Sequence, residues 1–180
     1  MKLIETGIDS LLIVQSKVFH DSRGFFFEGY SKSTWADAGL DLDIVQTNIS
    51  ESQGDVVRGL HFQNPPYAQG KLIRVLKGAV LDVAVDLRKD SKSYGKHFAI
   101  ELNEDNKDAL WVPPGFAHGF KTLSDNTLFY YDCTGPYHKE AEGSLLWNDP
   151  DLNINWEIEN PILSEKDAGA PTFKNFESQF

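Results

Sequence analysis

The chain has 180 residues, 41% of them apolar and 24% charged, a composition typical of a globular domain with a hydrophobic core. This composition excludes a disordered or membrane-spanning chain, so no membrane partner is expected. Lys and Arg number 17 against 27 Asp and Glu, and the formal charge of −10 excludes a general nucleic-acid binder.

Cysteine usage and the N-terminal segment predict a cytoplasmic protein. Cys133 is the only cysteine, so no internal disulfide can form, and the N-terminal segment has no signal-peptide pattern. No linker, repeat or block of like charge divides the chain. We therefore predict one domain over residues 1–180.

Short runs of β-forming residues recur along the chain, separated by Gly, Pro, Asn or Asp. This spacing is typical of an antiparallel sandwich or barrel rather than of βαβ units. Only two short helices are predicted, over residues 31–38 with Gly39 as the stop and over residues 164–167 with Ser164 as the N-cap. The predicted strands are residues 11–19, 24–30, 56–63, 71–76, 79–87, 97–102, 109–112, 118–122, 128–133 and 154–156.

The strand over residues 79–87 has the clearest alternation. Asp82 and Asp86 share one of its faces, and such a pair usually marks a face in contact with solvent unless that face lines a cavity. Gly78, between two extended runs, predicts a tight hairpin turn.

Two histidines lie where a cavity is possible. Alternation places His61 and Gln63 on one face of a strand, and His118 follows a Pro-Pro-Gly turn at the start of another. A single strand histidine is most often a structural, hydrogen-bonded residue. Three nearby cations in an acidic chain nevertheless predict a positive site for a small anionic ligand: Arg58, Lys71 and Arg74.

Residues 113–118 have the Pro-x-Gly-x-x-His form of the second cupin motif. Metal-binding cupins also carry a His-x-His pair, but here the second position of that pair is Gln63. An amide is a weak ligand for Zn²⁺ or Fe²⁺. We therefore expect no metal and no other cofactor.

The aromatic residues of the C-terminal half are expected to serve mainly in packing. Tyr130 and Tyr131 are adjacent on a strand, so only one can face a cavity, and alternation does not say which. A phenol in that cavity could donate a proton or a hydrogen bond. The aromatic set comprises Phe129, Tyr130, Tyr131, Tyr137, Trp147 and Trp156.

Eight segments in collinear order carry a resemblance to one family. They are residues 21–25 with Glu28, 46–48, 58–63, 67–72, 82–88, 114–120, 147–150 and 163–167. Over them the chain closely resembles the dTDP-4-dehydrorhamnose 3,5-epimerases. The resemblance implies an all-β, cupin-type double-stranded jelly roll with a few short peripheral helices, independent of metal and assembled as a homodimer. It also implies a dTDP-sugar substrate, dTDP-4-dehydro-6-deoxy-D-glucose, epimerised at carbons 3 and 5 to dTDP-4-dehydro-L-rhamnose.

Epimerisation beside a ketone requires a base, a partner for the enolate oxygen and an acid on the opposite face. By resemblance, His61 is the base, oriented and activated by Asp167. Lys71 stabilises the charge on the carbon-4 oxygen, and the second tyrosine of the pair, Tyr131, donates the proton.

The resemblance also assigns substrate contacts. Arg58 and His61 have opposite parity on an ideal strand, so we expect a bulge or twist at Gly59 to bring both into one site. Asp132 is expected to point away from Tyr131. The assigned substrate contacts are Arg23, Glu28, Gln46, Thr47, Asn48, Arg58, Lys71, His118, Tyr137 (stacked on the thymine), Glu142 and Lys166.

Three alternatives remain open at this point. An epimerase acting only at carbon 3 needs the same base and the same ketone chemistry, and the sequence does not separate it from a double epimerase. The others are a metal-dependent cupin and a sugar-binding jelly roll without catalysis.

Overall fold

The computed structural model describes residues 1–180, and β-strands dominate it. Its helical elements are α1 (Lys32–Asp37), α2 (Glu165–Ala168) and two 3-10 turns (Lys139–Ala141 and Phe173–Asn175). No helix has the length and apolar character needed to cross a membrane. The strands are β1 (Lys2–Glu5), β2 (Leu12–Gln15), β3 (Phe19–Asp21), β4 (Gly24–Phe26), β5 (Gln46–Ser52), β6 (Val57–Gln63), β7 (Lys71–Lys77), β8 (Ala79–Asp86), β9 (His97–Asn103), β10 (Ala109–Val112), β11 (Phe116–Thr122), β12 (Thr127–Cys133) and β13 (Glu142–Ser144).

Eleven of the strands form two antiparallel sheets. The larger sheet has the order β1-β2-β10-β7-β12-β5, and the smaller has the order β13-β6-β11-β8-β9. Strands β3 and β4 form a separate hairpin. Strands distant in sequence are therefore neighbours in each sheet, which is the jelly-roll arrangement that the resemblance implies.

The main core fills the space between the two sheets. Ile73 and Phe129 of the larger sheet belong to the same cluster of buried side chains as Ala84 and Phe120 of the smaller sheet. A second cluster covers the outer face of the smaller sheet with residues of the C-terminal segment, and a third packs α1 against the larger sheet. Because both faces of the smaller sheet are covered at its centre, strands β8 and β11 are buried almost throughout.

The covering of both faces of the smaller sheet corrects the prediction that Asp82 and Asp86 are in contact with solvent. Val83 and Val85 of β8 pack into the outer cluster, so the two aspartates point into the space between the sheets, and neither is exposed to solvent. Asp86 accepts hydrogen bonds from Arg88 and from the hydroxyls of Ser91 and Ser93, at 2.6 to 2.9 Å. These partners replace the water that the buried carboxylate loses.

Asp86→Asn is expected to destabilise the fold in a pH-dependent way. Burial alone would raise the pKa of Asp86, but the hydrogen bonds from Arg88, Ser91 and Ser93 lower it from 3.8 to about 2. A depressed carboxyl pKa stabilises the folded state above the unfolded pKa, and this contribution is lost as the pH falls through the folded pKa. Urea unfolding should therefore show a loss of about 2 kcal/mol at pH 7.

That loss should shrink as the pH falls from about 4 to about 2. The matched control is Asp90→Asn, a neighbouring exposed carboxylate whose replacement should leave stability nearly unchanged. An Asp86→Asn deficit equally large at pH 2 would contradict the assignment.

Most predicted elements are present, with four corrections. The strand predicted over residues 24–30 ends at Phe26. Residues 154–156 form no strand, although Trp156 is buried and its indole N–H donates to the Trp147 carbonyl at 2.6 Å. The run over residues 11–19 breaks after β2. Three strands lacked a sequence signal: β1, β5 and β13.

Gly78 forms a tight bend between β7 and β8, but these strands belong to different sheets, so the bend connects the two sheets and is not the predicted hairpin. Its φ is +79°, and a Cβ there would lie 2.5 Å from the Ser124 hydroxyl. Only glycine both adopts a positive φ without strain and leaves this space free of a Cβ.

Candidate active site

Two adjoining cavities lie between the sheets, with volumes of about 420 and 320 Å³. Three side chains line both of them: His61 of β6, Lys71 of β7 and Tyr131 of β12. The cavities are therefore two halves of one site, and the three shared groups lie at their junction.

The predicted bulge in β6 is confirmed. His61 pairs with His118 of β11, but Arg58, three positions earlier, pairs with Phe120, only two positions later. Gly59 has φ +127°, and a Cβ on it would lie 2.5 Å from the Gly119 Cα. The extra residue reverses the alternation, so Arg58 and His61 line the same cavity.

His61 is held by Asp167. Its Nε2 lies 2.6 Å from Asp167 Oδ1, and the carboxylate is almost completely buried while a third of the imidazole is exposed. The side chain of Ser164 accepts the Asp167 N–H at 3.1 Å as the N-cap of α2, which sets the position of Asp167.

The Asp167 carboxylate stays ionised at neutral pH. Burial would raise its pKa, but hydrogen bonds from the His61 ring, the Ser164 hydroxyl and the Gly59 N–H lower it below the ordinary value. An ionised carboxylate accepts the proton on Nε2, which leaves the other ring nitrogen of His61 available to act as a base.

The Lys71 side chain lies at the junction of the two cavities. Burial lowers the pKa of its ammonium, while the Cys133 thiol, Asp82 and Glu142 oppose that shift. Its Nζ lies 5.8 Å from the centre of the Tyr131 ring. An ammonium so placed can stabilise an oxyanion in the cavity.

The tyrosine pair is divided between the two faces of β12. Tyr131 lines both cavities, whereas the Tyr130 hydroxyl donates to Asp132 Oδ1 at 2.8 Å on the opposite face. Asp132 points away from Tyr131, as predicted. Burial raises the pKa of the Tyr131 phenol, so this group keeps its proton at neutral pH.

His118 forms a second histidine–carboxylate pair. Its Nε2 lies 3.0 and 3.1 Å from the two oxygens of buried Asp82. Burial lowers the pKa of His118 although the Asp82 carboxylate opposes this, so the imidazole is neutral at the cavity wall. Sequence reasoning missed Asp82 as a site residue because alternation does not show that both faces of β8 are covered.

The remaining predicted residues at the site lie around its rim. Lys166 Nζ contacts Glu142 Oε1 at 2.6 Å, and the Tyr137 hydroxyl donates to Glu142 Oε2 at 3.3 Å. Gln46 and Asn48 line the smaller cavity from β5. The structure thus brings together eleven of the assigned residues: Gln46, Asn48, Arg58, His61, Lys71, His118, Tyr131, Tyr137, Glu142, Lys166 and Asp167.

Three assigned residues do not line these cavities. Arg23 and Glu28 are exposed, on or just after the β3–β4 hairpin, and Arg23 pairs with Asp21. The Thr47 hydroxyl donates to Asp132 at 2.6 Å on the opposite face of the sheet, which corrects the prediction for its side chain.

Arg74 is likewise outside the predicted cationic cluster. It lies on the outer face of the larger sheet, where it donates to the carbonyls of Lys107 at 2.8 Å and Gly29 at 3.1 Å. Arg74 lies three positions after Lys71 along β7, and because side chains alternate along a strand, the two side chains point to opposite faces of the sheet.

Gln63 occupies the position of the second cupin histidine. Its amide donates to the carbonyls of Tyr67 and Pro136 and accepts the His138 N–H. No group of three His, Cys, Asp or Glu side chains is arranged to hold a metal ion. The side chain at this position thus binds backbone.

A histidine base with its carboxylate partner, an ammonium and a protonated phenol in one cavity can remove and return protons at carbon. The fold and this site define a jelly-roll enzyme of the acid–base, epimerase class. The sequence model of the dTDP-4-dehydrorhamnose 3,5-epimerase family matches residues 5–175. The chain belongs to this family, and it is therefore an isomerase.

Individual relatives agree with the family match. The dTDP-4-dehydrorhamnose 3,5-epimerase of Salmonella typhimurium is 49% identical over 173 residues, which cover 95% of this chain and 94% of that protein. The crystal structure of the Elizabethkingia anophelis enzyme of the same name has 47% identity and a TM-score of 0.92, with 97% of both chains covered.

A third relative was solved with a nucleotide sugar. The dTDP-6-deoxy-D-glucose-3,5-epimerase of Legionella pneumophila, in complex with dTDP-4-keto-L-rhamnose, is 42% identical with a TM-score of 0.93. The alignment covers 98% of this chain and 94% of that one. These matches confirm the cupin-type jelly roll and favour the double epimerase over the three alternatives.

Proposed function

We propose that the chain converts dTDP-4-dehydro-6-deoxy-D-glucose to dTDP-4-dehydro-L-rhamnose by epimerisation at carbons 3 and 5. The observation that carries this proposal is the meeting of His61, Lys71 and Tyr131 at the junction of two cavities, with Asp167 bound to His61. The names of the relatives supply the substrate class.

In the proposed reaction, the free ring nitrogen of His61 takes the proton from the carbon beside the ketone. The electron pair of that C–H bond becomes the enolate, whose charge on the carbon-4 oxygen is stabilised by Lys71. Tyr131 gives its phenolic proton to the opposite face of the same carbon. His61 then loses a proton to solvent and Tyr131 regains one before the second carbon reacts.

The rest of the site is proposed to bind the nucleotide. Arg58 and Lys166 provide cations for the diphosphate oxygens. The exposed ring of Tyr137 provides a face on which thymine can stack. Further contacts are proposed for Gln46, Asn48, His118 and Glu142.

Incubation with dTDP-4-dehydro-6-deoxyglucose in deuterated water tests this function. Each epimerised carbon takes up one solvent deuterium, so deuterium at both carbons 3 and 5 is expected. Deuterium at carbon 3 alone would indicate a single epimerase, and bound but unlabelled sugar would indicate a binding protein.

We propose that no metal takes part, because Gln63 is a weak ligand and its amide is already bound to backbone. Turnover should survive exhaustive chelation. A stoichiometric metal ion whose removal abolishes turnover would contradict this.

A homodimer is also proposed. The outer face of the larger sheet exposes Ile49 and Leu76, at 61% and 45%, and the β3–β4 hairpin exposes Phe25 and Phe26, at 57% and 68%. Large apolar side chains left exposed on a sheet face and on a hairpin favour an interface with a second copy of the chain. Sedimentation should give twice the 20.2 kDa of one chain.

The dimer gives Arg23 and Glu28 a role. Both are exposed beside the apolar hairpin and away from the cavities of their own chain. We propose that the hairpin brings them to the nucleotide of the partner subunit.

A cytoplasmic location is proposed because Cys133 is a free, buried thiol, as expected in a reducing compartment.

A further inference from the structure

The segment over residues 135–138 carries Tyr137 but belongs to no strand or helix. It follows β12 and precedes the 3-10 turn at Lys139–Ala141. An aromatic ring on such a segment would ordinarily sample many orientations, and a ligand would have to order it on binding.

Three glutamine side chains hold the backbone of this segment, one residue after another. Gln69 donates to the Gly135 carbonyl at 2.5 Å, and Gln63 donates to the Pro136 carbonyl at 3.2 Å. Gln46 then accepts the Tyr137 N–H at 3.0 Å, and Gln63 accepts the His138 N–H at 2.7 Å. We call Gln46, Gln63 and Gln69 the glutamine clamp.

The clamp connects separate parts of the fold. Gln46 begins β5 and Gln63 ends β6, so two residues of the clamp are fixed by different sheets. Gln63 also donates to the Tyr67 carbonyl at 2.7 Å, and the Tyr67 ring stacks on His138 at 3.7 Å between centroids. The segment is thus attached to rigid strands on two sides.

An amide suits this task because it offers both donors and an acceptor. Gln63 is only 6% exposed, and its amide makes three hydrogen bonds to backbone. A histidine at this position could not donate to two carbonyls and also accept an N–H. The residue that departs from the metal-cupin pattern therefore has a specific use in this chain.

We propose that Gln63 and Gln69 are positioning residues that hold the Tyr137 ring ready to stack on the nucleobase. The inference rests on the proposed function, in which Tyr137 contacts thymine. Gln63 and Gln69 line the smaller cavity together with Tyr137, whereas Arg58, a cation proposed for the diphosphate, lines the larger one, so the clamp is expected to act mainly on the base end of the nucleotide.

Calorimetric binding of dTDP and of pyrophosphate tests the proposal. Gln63→Met and Gln69→Met keep the side-chain length and remove the hydrogen bonds. Each should weaken dTDP binding about tenfold and leave pyrophosphate binding unchanged. Gln53→Met is the matched control, because Gln53 is exposed and lines neither cavity, and it should bind dTDP like the wild type.

A double-mutant cycle with Tyr137→Ala tests whether the clamp variants weaken dTDP binding through the Tyr137 ring. If the clamp acts through Tyr137, Gln63→Met should change dTDP affinity by less than about twofold once that ring is absent. An undiminished effect in the Tyr137→Ala background, or equal losses for dTDP and pyrophosphate, would overturn the proposal. Gln69→Met carries the same test if Gln63→Met does not fold.

The same measurements separate this inference from the proposed function. Wild-type dTDP affinity in Tyr137→Ala would overturn the thymine contact itself and the inference with it. Weakened dTDP binding in Tyr137→Ala, with wild-type affinity in both clamp variants, would overturn the clamp alone.

Discussion

His61→Asn is expected to lose proton exchange at both carbons. Asparagine keeps a polar side chain in the cavity but has no nitrogen that can accept a proton at neutral pH. General-base catalysis contributes about 10²–10⁴-fold, so the rate of deuterium uptake should fall by at least that factor. The measurement is deuterium incorporation into dTDP-4-dehydro-6-deoxyglucose, followed by mass spectrometry.

Asp167→Asn is the companion variant. The Asp167 carboxylate orients His61 through the 2.6 Å hydrogen bond but does not take the proton from carbon. Weakened but detectable exchange is expected. Wild-type binding of dTDP by both variants would show that the fold survives. Deuterium uptake at the wild-type rate in His61→Asn would mean that another group is the base.

Tyr131→Phe is expected to separate proton removal from inversion. The phenylalanine ring still fills the cavity, and only the hydroxyl is lost. Product formation should fall by about 10²–10⁴-fold, the usual contribution of a general acid. Exchange driven by His61 should fall less, because that base can return deuterium to the face from which it took the proton.

Tyr130→Phe is the matched control on the same strand. Its hydroxyl donates to Asp132 on the outer face, so its loss should affect stability and leave epimerisation intact. Equal defects in the two variants, or a defect confined to Tyr130→Phe, would refute both the choice of acid and the orientation of β12 in the site.

Several features of the site follow from local sequence. Ser164 precedes Asp167 by three residues, a spacing that predicts the observed N-cap of α2. Gly59 predicts the bulge that brings Arg58 beside His61, because only an irregular strand reconciles their parity. Each depends on residues that are close together in the chain.

Strand β5 shows where local patterns fail. Its inward positions are Gln46, Asn48 and Ser50, whereas its outward positions include exposed Ile49. Predictions of strands rely on apolar residues facing a core, but β5 faces the cavity and the exposed outer side of the sheet. The residues of this strand were identified by resemblance and not by pattern.

By itself, the sequence determined the strand alternation, the bulge at Gly59 and the Ser164 cap of α2, and resemblance to the family supplied the set of groups able to perform acid–base chemistry at carbon. Only the tertiary structure decided which face of each strand is enclosed, and hence that Asp82 supports His118 while Arg74 and Thr47 lie outside the site. The physical reason is that alternation fixes which side chains share a face, whereas the burial of that face depends on segments distant in the chain.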